Sequence, residues 1–69
     1  MNDTFRNTVA THLTPEQVEK IRPHLEDLPA LAHGEWVCFW HSNSVGLDGE
    51  FTLNDLRKLT AAMEALQTL

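Results

Sequence analysis

Cysteine is nearly missing from this 69-residue sequence: Cys38 stands alone, which excludes an internal disulfide. A single thiol fits a reducing compartment. Glycine is scarce too, and three scattered glycines leave no room for a phosphate-cradling loop. The longest apolar run, Trp36–Trp40, has five residues, whereas a membrane span needs roughly 18. The opening stretch MNDTFRNTVATH shows neither the basic start nor the apolar core of a signal peptide. These absences predict a soluble, cytoplasmic protein with no membrane association.

Positive charge is the next shortage. Five basic residues face ten acidic ones, for a net charge of −5. No Lys or Arg falls between Pro23 and Leu56, where Glu26, Asp27, Glu35, Asp48, Glu50 and Asp55 all lie. Such a segment repels a phosphate backbone, so nucleic-acid binding is not expected. A basic protein partner is compatible with it. The length allows one domain with a thin core, because so short a chain buries only roughly 60% of its unfolded surface. Tight packing, a metal or a second subunit must supply what a disulfide does not.

Residues 1–12 form an N-terminal arm. Phe5, Val9 and Leu13 recur every four residues, as in a helix. Phe5, Asn7, Val9 and Thr11 equally suit an edge strand, and a mobile arm is a third reading. Residues 13–69 form a single α+β domain, starting with a clear helix signal at LTPEQ. Thr14 caps, Pro15 takes the first helical position, and Gln17 completes a capping box. Leu13 and Val18 form a hydrophobic staple, and Val18, Ile21, Leu25 and Leu28 continue one apolar stripe. Pro23 interrupts the hydrogen-bond ladder, so the pattern predicts a kinked helix over about 14–30, or two helical turns in series, ending near Leu28-Pro29 or by Gly34.

Bulky residues at 36–40, polar residues at 42–44, and then Val45, Leu47 and Asp48-Gly49 predict a β-hairpin over about 35–51, turning near Ser42–Ser44. A helix through Trp36–Trp40 is the alternative for so short a run. FTLND repeats the earlier start signal: Thr52 caps, Asp55 takes the third position, and Phe51 with Leu56 forms the staple. Leu53, Leu56, Leu59, Met63 and Leu66 then predict a helix over about 52–67. The two helical segments align without gaps at an offset of 38 residues. Capped amphipathic helices resemble one another, however, and repeat arrays need at least three copies. The expected architecture is helix, β-hairpin, helix, preceded by the short arm or edge strand.

Chemistry-bearing clusters are few. Cys38 and His41 have the residue types of zinc ligands, with His33 and Asp48 as further candidates. Residues three apart on a strand face opposite ways, and the second ligand pair of a structural site is missing, so no metal is expected. SVGLDGEFTLND resembles a calcium-binding EF-hand loop over twelve residues. Its first and third ligand positions fall on Ser44 and Gly46, which carry no charge. Ser42 and Ser44 lie near His41 but are ordinary turn formers. No catalytic constellation or cofactor motif is present, and an enzyme is not expected.

The aromatic run is the most informative feature. On a strand, Trp36, Cys38 and Trp40 share one face and Val37, Phe39 and His41 the other. Two helices cover only one face of a small sheet. Trp36, Phe39 and Trp40 are therefore expected to anchor a protein contact, with Glu35, Asp48 and Glu50 around its rim. This predicts a small binding module that associates as a homodimer. The alternative is an acidic inhibitor or adaptor seated on a basic site of a larger protein.

Overall fold

The computed structural model describes residues 4–26 and 28–68. Residues 1–3 of the arm, and Asp27 of the acidic segment, lie outside them. The elements run α1 (Thr4–Thr8), α2 (Pro15–Leu25), α3 (Pro29–Ala32), β1 (Trp36–His41), β2 (Ser44–Asp48) and α4 (Leu53–Leu66). This is an α+β fold in which helices pack on one side of an antiparallel hairpin.

Of the readings open for the arm, the helical one holds over Thr4–Thr8. Val9, Ala10 and Leu13 after it are buried in the core. Residue 9 also meets the sheet, because the Phe39 amide donates to the Val9 carbonyl at 2.8 Å.

The expected capping box opens α2. Thr14 Oγ1 accepts from the Gln17 amide at 3.2 Å, and Gln17 Oε1 accepts from the Thr14 amide at 2.9 Å. Val18, Ile21 and Leu25 form the buried stripe. Pro23 lies inside this helix without ending it. The break comes later and has a different cause. Leu28 precedes Pro29, whose ring disfavours helical geometry in its neighbour, and Leu28 is extended at φ −63°, ψ 114°. The segment over 14–30 is thus two helices in series. A Schellman motif closes α3: Glu35 N–H donates to Ala30 O and Gly34 N–H to Leu31 O, with Gly34 at φ +85°.

The hairpin pairs Trp36 with Asp48, Val37 with Leu47, Cys38 with Gly46 and Phe39 with Val45. His41 then pairs with Ser44, so Trp40 is the extra residue of a β-bulge. A two-residue connection favours positive φ at both central positions. Neither Ser42 nor Asn43 has it, and the bulge supplies extra twist next to the turn. His41 Nδ1 accepts the Asn43 amide at 3.1 Å, and Gln67 Nε2 donates to the Ser42 carbonyl. The C-terminal end of α4 is therefore held against the turn.

Helix α4 starts at the expected box, with Thr52 Oγ1 accepting from the Asp55 amide at 3.2 Å and Asp55 Oδ2 from the Thr52 amide at 2.9 Å. Its buried face is Asp55, Leu59, Ala62 and Leu66. The expected stripe therefore fails at its start: Leu53 is 63% exposed and Leu56 42%. Two successive three-residue steps place Leu53 about 120° around the helix from Leu59. The core combines Val9, Leu13, Val18, Ile21, Leu25, Leu28, Val37, Phe39, Leu59 and Leu66. It lies between α2, α4 and the inner face of the hairpin. No helix among the described residues is long and apolar enough to cross a membrane.

Candidate functional site: the outer face of the hairpin

Strand β1 separates its apolar residues by side. Val37 and Phe39 turn inward, and Phe39 is fully buried. Trp36 and Trp40 turn outward, each 47% exposed. Their rings approach one another at 6.2 Å between centroids, tilted by 54°. Phe39 belongs to the core and is not a surface anchor, a correction to the expected contact set. Strand alternation separates it from the two tryptophans.

Below the rings lies Gly46. A Cβ built there would come within 2.9 Å of Trp36 Cζ3 and of Trp40 Nε1. A side chain at this position would lift both indoles off the strand. Cys38, opposite Gly46 in the register, is buried. His12 completes the layer by stacking on Trp40, with centroids 4.8 Å apart and planes 29° apart. The segment after α1 thus covers part of the outer face and leaves the rest open. Neither His12 nor Gly46 was a sequence candidate. Gly46 was legible in principle, since a glycine opposite two large residues marks a close approach. His12 carries no such local signal.

The three rim carboxylates differ in role. Asp48 and Glu50 are exposed, whereas Glu35 is half-buried. Glu35 Oε2 accepts the Glu50 amide at 2.7 Å, closing the open end of the hairpin. The Glu35 carboxylate lies so tightly across Gly49 that a Cβ there would overlap it. Gly49 also sits at φ +124°, which disfavours any other residue. Glu35 is thus a structural clasp beside the site.

The metal candidates do not converge. Cys38 is buried on the outer side of β1, His41 is exposed and engaged with the turn, and His33 is exposed at the end of α3. Among the described residues no three His, Cys, Asp or Glu side chains form a group able to hold a metal ion. The calcium-loop resemblance also lacks its fold, because Ser44–Asp48 is a strand.

The buried carboxylate is Asp55, only 2% exposed. The Thr52 amide holds its carboxyl below the usual carboxylate range. Burial opposes this by pushing it up, while the Thr52 hydroxyl, the Ala30 amide and the charge of His33 add to the lowering. Its Oδ1 has no hydrogen-bond partner among the described residues. Asp55 sits in a helix cap and serves the fold.

Comparison with protein-family models, with curated proteins and with solved structures finds no match.

Proposed function

We propose that this chain is a small, non-enzymatic protein-binding module of the cytoplasm that self-associates through the outer face of its hairpin. One observation carries this: two adjacent tryptophans, each 47% exposed, lie side by side on a strand whose other face is already core. Large aromatic side chains are the commonest interface anchors, and burying one against a partner returns apolar area to a dry environment. In a two-fold dimer the same patch meets itself, so Trp36 and Trp40 of each copy would pack on those of the other. Asp48 and Glu50 stand at the edge, where solvent screens them.

A second reading is favoured by the charge pattern. The stretch between Pro23 and Leu56 has no Lys or Arg, and exposed Asp48 and Glu50 flank the tryptophans. Of these two only Asp48 is paired directly with a tryptophan, Trp36. An acidic adaptor docking on a basic site of a larger protein would use the same face. Salt separates the two, because apolar self-association is nearly salt-independent and charge-driven docking weakens steeply. The test is solution mass against protein concentration at low and high salt. Self-association expects a rise from 7.8 kDa toward twice that value, at both salt concentrations. A monomer throughout would overturn it.

A further inference from the structure

A groove of about 400 Å³ opens beside the start of β1, separate from the Trp40 side of the hairpin. Its apolar walls come from Phe5 of α1, Leu31 of α3 and Val37, with Trp36 on the same border. Its polar lining includes Glu26 and Glu35. Glu35 already accepts the Glu50 amide through Oε2, which leaves its other oxygen and the exposed Glu26 for a cation. Gly34 leaves the groove clear, since a Cβ at that position would meet nothing within 4 Å. The volume lies within the roughly 300–1,000 Å³ typical of ligand pockets.

We propose that this groove receives an arginine side chain presented by a partner protein. The aliphatic stem of arginine fits an apolar trough, and its head seeks a carboxylate and an aromatic face. Glu26 and Glu35 supply the carboxylates, and Trp36 supplies an indole, the strongest aromatic partner for a cation. Among the described residues no Lys or Arg lines the groove. The chain already makes one contact of this kind nearby: the Arg22 guanidinium lies 5.1 Å from the centre of the Phe5 ring and pairs with Glu19 at 3.0 Å. That cation is held on α2, and the groove offers two further carboxylates of its own. Arginine is preferred to lysine because its planar head stacks on an indole and bonds a carboxylate through two N–H groups at once. Trp36 is shared with the proposed contact between copies, whereas Glu26 and Leu31 lie off the outer face.

The probe is the blocked peptide acetyl-Gly-Arg-Gly-amide, titrated into the ¹⁵N-labelled full chain and compared with the same peptide carrying citrulline, its neutral isostere. The expected result is a saturable shift of the Leu31, Gly34, Trp36 and Val37 amides with arginine, at least fivefold weaker with citrulline. Raising the salt should weaken it further. Glu26→Gln, at an exposed position, should weaken arginine binding several-fold while leaving the protein's spectrum folded. The same titration on Trp40→Glu, which takes the proposed second copy away from Trp36, should give the groove shifts at least as strongly as the wild type. Equal responses to arginine and citrulline, shifts confined to Trp40 and Gly46, or no shifts in the millimolar range would overturn the proposal.

Discussion

The two faces of strand β1 carry side chains of similar hydrophobicity and meet opposite fates. Val37 and Phe39 are closed over by helices, while Trp36 and Trp40 are half open on the other side. Composition does not distinguish them, and the supply of covering elements does. Helices α2 and α4 pack against each other and share one buried cluster with Val37 and Phe39, whereas the outer face receives one stacked imidazole, His12. Among the described residues no helix or strand lies over it. Exposure of the tryptophans thus follows from topology, and an apolar residue left open by topology is where a partner has most to gain.

The comparison breaks most severely from within. Phe39→Ala removes the largest fully buried side chain and should cost about 3–5 kcal/mol, measured by urea denaturation. A loss below about 1 kcal/mol, the typical cost of an ordinary substitution, would contradict its place in the core. Gly46→Val attacks the outer face from below. Its side chain would displace both indoles, a repacking that costs roughly 1–3 kcal/mol and should shift the tryptophan fluorescence. An unaltered emission spectrum would mean that the rings do not rest on Gly46.

A third change touches neither face and sets a baseline for stability alone. Asp55 has its carboxyl lowered from the ordinary value of 3.8. The ionised group therefore contributes stability that is complete above that value and lost as pH falls through the lower folded value. Thermal midpoints should drop in that acid range, and Asp55→Asn should flatten this part of the profile without changing the solution mass. An Asn variant that keeps the full acid-side slope would place the titration elsewhere. The smallest effect on the fold belongs to Trp40→Glu. At a half-exposed position, and with the His12 stacking lost, it should cost the monomer about 1 kcal/mol.

The local signals were the legible part of the fold. Both capping boxes and the hairpin turn need only residues within a few positions of one another, and Thr14, Gln17, Thr52 and Asp55 stand where their spacing placed them. What depended on distant packing was not legible. Val18 and Leu56 occupy equivalent positions after their caps, yet Val18 is buried and Leu56 is 42% exposed. The partners of α2 and α4 differ, and no periodicity encodes that. The end of the first helical segment near Leu28-Pro29, by contrast, was legible. Pro23 attracts attention inside a helical pattern, but Pro29 ends the run by acting on Leu28. At the site, alternation puts Trp36 and Trp40 together and Phe39 on the buried side, a division that aromatic character alone does not reveal. His12 was invisible because its partner is 28 positions away along the chain.

The central claim is that the outer face meets a second copy of itself. The most direct measurement is light-scattering mass after size exclusion, from low to high micromolar concentration, for the wild-type chain and Trp40→Glu side by side. A wild type that rises from 7.8 kDa toward twice that mass, at low and high salt alike, with a variant that stays folded and monomeric, is the expected result. A wild type that remains monomeric across the range, or a variant that self-associates as strongly as the wild type, would contradict it.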